Sequence, residues 1–363
     1  MVREENKKKM IIKIPQIKPH FRVEIVEPKN VYLLSESATH ALTGSLYCQI
    51  LPLLNGQHTL EDIIQKLDGQ VPPDHIHYVL DRLYEKGYLT NADHSLTREA
   101  AAFWSLLNVN PQVVSEQLPQ TQVFVTTVGT VDAQGLIEAL QAIVIPVHEG
   151  AGGREQGARE VGAAQSGSSS LQVVLTDDYL QPELSHINKI ALQTQQPWLL
   201  VKPNGGILWF GSIFTPCETG CWECLADRLQ GNREVETSIL QQQGKTESGC
   251  LPTAFAALPS TVQTAIALTT TEVAKWLVKQ IVPEAKIQTL AGKIITLNQT
   301  NFTLKTHSLT QRPQCRACGN PDLVSQQVKS AIALTSRKKL FTQDGGHRAF
   351  TPEQILKRYS NPK

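Results

Sequence analysis

Hydrophobic and polar positions change their period twice along this 363-residue chain. Near the start, Phe21-Arg-Val-Glu-Ile-Val-Glu alternates with period two, and Asn30-Val-Tyr-Leu-Leu-Ser resumes the alternation after Pro28, which predicts two strands joined by a short turn. Ala38 to Thr43 reads as a third strand, closed by Gly44. The period then becomes helical. Ser45 is placed to cap a helix over Leu46 to Leu54, which Asn55-Gly56 stops. Thr59-Leu-Glu-Asp opens a second helix with Leu60, Ile63, Ile64 and Leu67 on one face. Pro72-Pro73-Asp74 starts a third, in which Ile76, Val79, Leu80, Leu83 and Tyr84 recur at helical spacing until Gly87. Three strands followed by three helices over residues 20–95 predict an α+β winged-helix module, preceded by a flexible tail at 1–19.

A helical connector over 96–120 leads to a different rhythm. Strands at Gln122–Val128, Leu171–Thr176 and Pro197–Val201 alternate with helices at Ala133–Ile143 and Pro182–Gln193, the mark of crossover units and a mainly parallel sheet. A long helix from about Ala254 to Gln280 and strands at Lys293–Leu297 and Phe302–Lys305 complete an α/β domain over 121–325. The Gly-, Ala- and Ser-rich stretch between Glu149 and Ser170 cannot bury a core and reads as a mobile insertion. Residues 326–363 read as a basic linker.

Charge narrows the partners. The formal +1 hides basic ends: six Lys/Arg against two acids in residues 1–20, and eight against two in 327–363, leaving 20 basic and 29 acidic residues between them. A body at −9 repels phosphate backbones. The winged-helix module itself holds five Lys/Arg against ten acids over residues 21–95, so no nucleic acid is expected on it. With no apolar run near the ~18 residues of a membrane span and no apolar core of a secretory signal, no membrane partner is expected either, and the reading is cytoplasmic.

Seven cysteines in such a chain argue for metal or packing rather than disulfides. Cys221-Trp-Glu-Cys224 and Cys315-Arg-Ala-Cys318 are two Cys-x2-Cys knuckles, the donor set of a closed, structural tetrahedral zinc site that contributes on the order of 10 kcal/mol to folding. Reduced thiols or a redox pair are the alternatives. Cys48 reads as a small buried hydrophobe, Cys217 as surplus to a filled set of four, and Cys250 as an inert loop thiol unless a basic partner activates it. Val128-Gly-Thr-Val-Asp-Ala-Gln-Gly135 lacks the glycine spacing of a phosphate cradle, and Asp177-Asp178 reads as a solvated loop pair.

A different site is offered by the winged-helix module. Its third strand, with Ala38, Thr39, His40, Ala41, Leu42 and Thr43, is expected at a sheet edge beside the third helix, its amides open to an extended peptide. Tyr78, Arg82 and Lys86, spaced i, i+4, i+8 off the core face, would flank that groove. A cap that merely packs on the α/β domain is the plainer alternative.

The succession Val173-Val-Leu-Thr-Asp-Asp, Thr215-Pro-Cys-Glu-Thr-Gly-Cys-Trp-Glu-Cys-Leu225, Glu272-Val-Ala-Lys-Trp and Cys315-Arg-Ala-Cys resembles the ThiF-like, ubiquitin-activating-enzyme-like fold with its structural zinc. More narrowly, Gly44-Ser-Leu-Tyr-Cys-Gln-Ile-Leu-Pro-Leu-Leu-Asn-Gly, Leu175-Thr-Asp-Asp-Tyr-Leu-Gln-Pro-Glu-Leu and Gly345-Gly-His-Arg resemble the cyanobactin heterocyclases, cyclodehydratases that form azolines from Cys, Ser and Thr of ribosomal precursor peptides. The resemblance runs over about residues 18–360. It implies that residues 20–95 capture the precursor's leader as an added strand and that Cys221, Cys224, Cys315 and Cys318 hold zinc. It further implies that ATP and magnesium belong to a YcaO-type catalytic domain, which is expected either after this stretch of a longer enzyme or in trans; a homodimer also fits. This chain alone is therefore not expected to cyclise its peptide. A ThiF-like adenylyltransferase and a winged-helix DNA-binding regulator are the competing readings.

Overall fold

The computed structural model describes residues 12–92, 95–150, 170–244, 250–251 and 256–323, with positions 353, 354 and 357 beyond them. The expected mobile insertion, nearly all of the basic linker with its Gly345-Gly-His-Arg motif, and residues 1–11 of the tail lie outside the described residues.

The winged-helix module is built from β2 (Arg22–Val26), β3 (Asn30–Leu34) and β4 (Thr39–Thr43), followed by α1 (Ser45–Ile50), α2 (Leu60–Lys66) and α3 (Pro73–Glu85). Alternation in β3 buries Val31 and Leu33 against Ile50, Ile63, Ile76, Val79 and Leu83 of the helices, which form one core. Thr59 caps α2 in a reciprocal box: its Oγ1 accepts from the Asp62 N–H at 3.1 Å, and its own N–H donates to Asp62 Oδ2 at 2.9 Å. Ser45 is not a cap. Gly44, at φ 151°, turns the chain straight from β4 into α1, and Ser45 becomes the first helical residue. Tyr84, at the margin of the apolar stripe of α3, is 40% exposed.

The tail ends earlier than its polar composition suggests. Pro15–Ile17 form β1, antiparallel to β5 (Leu89–Asn91), and Ile17 enters the module's core. Three residues are too few to show a period, so this strand is set by the pairing offered beyond α3.

Helices α4 (Arg98–Leu106) and α5 (Pro111–Gln117) make the connector, capped by Thr97 and Asn110. Beyond it stands a seven-stranded sheet of order β12-β11-β10-β9-β8-β6-β7. Its strands are β6 (Gln122–Val128), β7 (Val147–Glu149), β8 (Ser170–Thr176), β9 (Trp198–Lys202), β10 (Ile207–Phe214), β11 (Lys293–Asn298) and β12 (Thr303–Ser308). Only β6, β7, β8 and β9 run parallel; β10, β11 and β12 continue antiparallel, so the sheet is mixed rather than mainly parallel. Helices α6 (Gln134–Ala142) and α10 (Pro259–Ile281) cover one face, and α7 (Glu183–Thr194) and α8 (Trp222–Gly231) the other. Helix α9 (Glu234–Gln242) buries none of its residues. Burial on both faces explains the unbroken apolar run of β8, where Val173 and Leu175 enter one core and Val174 the other. Inside this layer α10 carries a buried Glu272 whose carboxylate accepts the Leu290 N–H at 2.5 Å and meets Lys275 Nζ at 3.1 Å. Among the described residues, no helix is long and apolar enough to cross a membrane.

Candidate functional site

Strand β4 has β3 on one side and, among the described residues, no strand on the other. Its register tells which groups are free. The bonds Gly44 N–H to Lys29 O (2.7 Å) and Ser35 N–H to Ala38 O (2.9 Å) close the two ends of the same ladder. Bonded and non-bonded pairs alternate in an antiparallel ladder, so Val31/Leu42 and Leu33/His40 are bonded, and the N–H and C=O of Thr39, Ala41 and Thr43 point away from β3. The six expected edge residues therefore divide. Thr39, Ala41 and Thr43 present backbone without a partner among the described residues; Leu42, 7% exposed, belongs to the core. His40 faces inward, its ring 4.9 Å from Tyr88. Ala38 is not an edge residue, because Ser35 holds both its carbonyl and its N–H in a turn.

Tyr88 ties this edge to α3, lying two residues past the C-cap Lys86. On α3, Tyr78 is 59% exposed, and Arg82 and Lys86 are exposed with no ion-pair partner among the described residues. Sequence reading missed the rings that floor this corner: Phe21 stands 5.7 Å from both His40 and Tyr88, and His20 4.1 Å from Phe21. Burial, then the nearby Lys18 ammonium and His40, push the His20 imidazole down to about 4. Burial also lowers Lys18, whose Nζ donates to Asn108 Oδ1 of the connector at 3.2 Å. The only signal was the run Lys18-Pro-His-Phe21, hidden in what reads as tail and strand start.

In the α/β domain, the two knuckles meet. Cys221 is the N-cap residue of α8 and Cys224 lies in its first turn, while Cys315 and Cys318 sit in a turn beyond β12. All four sulfurs lie within 4.8 Å of one another, with Cys221–Cys224 at 4.0 Å, Cys221–Cys315 at 3.7 Å and Cys224–Cys318 at 3.5 Å. Metal–sulfur bonds of about 2.3 Å in a tetrahedron give sulfur–sulfur edges of about 3.8 Å. The thiols thus fit a metal ion, and the sequence expectation for their grouping matches the geometry. Burial pushes the Cys224 thiol up to about 11 and raises Cys221 further. At Cys315 burial also raises, but backbone N–H groups of Cys318 and Ala317 outweigh it and the thiol ends lower than usual. Four thiolates this close need a cation. The Arg312 N–H already donates to Cys224 Sγ at 3.3 Å, and Arg312 pairs with Asp227 of α8 at 2.5 Å, so the turn is held on the helix by its own polar contacts. Gly319 closes the turn where a Cβ would collide with the Pro313 carbonyl.

The remaining cysteines stand apart from this cluster. Cys217 is exposed and donates to Gln195 Oε1 at 3.6 Å; Cys48 donates to the Asn30 carbonyl at 3.8 Å. Burial, followed by Asp178 and Asp177, pushes the Cys250 thiol up to about 11, which suits an inert residue.

A winged helix-turn-helix domain model matches residues 16–91. Among solved structures, the heterocyclase TruD is 50% identical with a TM-score of 0.80, over 96% of this chain and 47% of TruD. A heterocyclase in complex with substrate and cofactor is 51% identical over 96% of this chain and 44% of its own, also at 0.80. E. coli MccB, solved with ATP, shares the fold at 14% identity and a TM-score of 0.54, over 84% of this chain and 99% of MccB. The chain thus spans just under half the length of the heterocyclases it matches. No curated protein matches it.

Proposed function

From a resemblance to the heterocyclase TruD that extends over 96% of the chain, we propose that this protein captures the leader of a ribosomal precursor peptide and presents its core Cys, Ser or Thr residues to an ATP-dependent cyclodehydratase domain. The observation that carries the reading is the backbone of Thr39, Ala41 and Thr43, turned away from β3 with no strand beyond it among the described residues, together with the packing of His40 on Tyr88 just past α3. An extended peptide laid there gains main-chain hydrogen bonds at alternate residues, and its side chains reach the helix. Capture at one place raises the local concentration of the core at another, so the leader site needs no contact with the reacting residue. The four thiols hold zinc in this account, closed to water and substrate, and ATP with magnesium acts at the YcaO-type catalytic domain. The heterocyclase solved with substrate and cofactor, and MccB solved with the peptide MccA, support a peptide partner.

Isothermal titration of the chain with a leader peptide tests the proposal: binding at micromolar protein is expected, and absence of heat together with absence of competition by the unlabelled leader contradicts it. The MccB fold keeps an adenylyltransferase as the second reading, and ATP–pyrophosphate exchange by this chain alone would favour it. DNA binding is opposed by the excess of acids in the module.

A further inference from the structure

Binding sites concentrate where one unit of a chain meets the next, in clefts of roughly 300–1,000 Å³. Here the connector helices α4 and α5 face the end of α10, and a cleft of about 730 Å³ lies between them. Its walls are apolar: Leu106, Leu107 and Val113 come from the connector, Ile281 and Val282 from α10 and its C-cap. Leu106 is 41% exposed, and the other four are half-buried. Glu284 and Lys286, of opposite sign, also line it, so no net charge selects an ion. Asn108 and Asn110 complete the lining. Asn108 Oδ1 accepts from Lys18 Nζ at 3.2 Å and Asn110 Oδ1 from the Gln112 N–H at 3.0 Å, which leaves both Nδ2 groups without a protein acceptor among the described residues.

Lys18 joins this cleft to the ring corner at β4. Its N–H donates to the Tyr88 carbonyl at 2.8 Å, and the Tyr88 ring stands 4.9 Å from that of His40 on the strand, while its Nζ reaches Asn108 in the cleft. One lysine thus spans the two places, a gap that a few extended residues at ~3.3 Å each can cover. We propose that the cleft holds the stretch of the precursor that joins its leader to its core: an extended segment that buries an apolar side chain against Leu106 and Val282, with main-chain carbonyls accepting from Asn108 and Asn110. The inference rests on leader capture at β4 and adds a second contact to it. Burial of that side chain removes exposed leucine surface from water. Fixing the joining stretch also shortens the free tether, and the effective concentration of the core rises roughly as the −3/2 power of tether length falls.

Titration calorimetry of the chain and of its Leu106→Asp variant tests it with two peptides made from the substrate of the heterocyclase that is 51% identical: the leader alone, and the leader carried through the joining stretch into the core. Extension is expected to tighten binding to the parent roughly tenfold. In Leu106→Asp that gain should vanish, while the leader alone binds both chains alike. The side-chain amide NMR signals of Asn108 and Asn110 should shift with the extended peptide and stay in place with the leader alone. Extension that adds nothing, or adds as much in the variant, overturns the cleft and leaves leader capture standing; a leader that does not bind the parent removes both. Sedimentation of the parent without peptide supplies a further refutation, because self-association that is lost in Leu106→Asp would give the cleft to a second copy of the chain. Should Leu106→Asp fail to fold, the parent decides: Asn108 and Asn110 signals unmoved by the extended peptide refute the proposal.

Discussion

Strand β4 of the winged-helix module turns the backbone of Thr39, Ala41 and Thr43 outward, and at the end of α3 Arg82 and Lys86 are exposed and form no ion pair among the described residues. In the α/β domain the equivalent loose ends are used up: Asp177 occupies the turn after β6, Arg233 neutralises Asp178, and two distant knuckles converge on one point. The contrast extends to sheet edges. Strand β12 is also an edge, but it is exposed at every position and carries Lys305 and His307, the pattern that discourages pairing, whereas β4 buries Leu42 and His40 packs on Tyr88. A small module that leaves polar groups unspent beside a rigid floor is suited to receive a chain; a domain that satisfies its own is suited to hold it in place.

The separation can be broken in several ways. On the proposed zinc site, chelation, or replacing Cys224 by Ser, is expected to abolish metal content and lower the melting of the α/β domain by about 10 °C or more. Leader affinity should survive, and its equal loss would show that the two regions do not act apart. Leu33→Ala deletes a fully buried side chain of the module and is expected to cost about 2–5 kcal/mol, with leader binding lost and metal content intact. Arg82→Glu should weaken leader binding roughly tenfold, read by calorimetry, while the melt stays unchanged because the side chain is exposed. A comparable loss for a charge swap elsewhere on the surface would remove Arg82 from the groove.

The smallest effect is a pH dependence of the module. Folding pushes the His20 proton off, first through burial and then through the nearby Lys18 and His40. Below the ordinary histidine value of 6.5 the unfolded chain binds a proton that the folded chain refuses, so stability falls as pH drops from 6.5 to about 4. Melting curves across that window should show the decline, and His20→Asn should flatten it; an unchanged slope in the variant would assign the decline to other groups.

What the sequence made legible follows from how local each signal is. β3, β4, α2 and α3 carry their own periods, caps and stops, and both Cys-x2-Cys pairs announce a metal geometry although 90 residues separate the knuckles. The elements missed lack such marks. β1 and β7 are three residues long; in β10, Gly211 falls where the register shifts between Phe210 and Ile213; α9 buries nothing and so shows no stripe. Asp177 was misread because its partner Thr130 lies 47 positions away, and only the parallel pairing of β6 with β8 brings their ends together. Ala38 read as strand because a turn closed by Ser35 leaves no trace in an apolar alternation.

Hydrogen exchange at single amides, followed with and without a saturating leader peptide, tests the central claim most directly. Thr39, Ala41 and Thr43 are expected to exchange more slowly in the complex, with His40 and Leu42, already bonded to β3, nearly unchanged. A leader that binds while those three amides exchange at their free rates would contradict it.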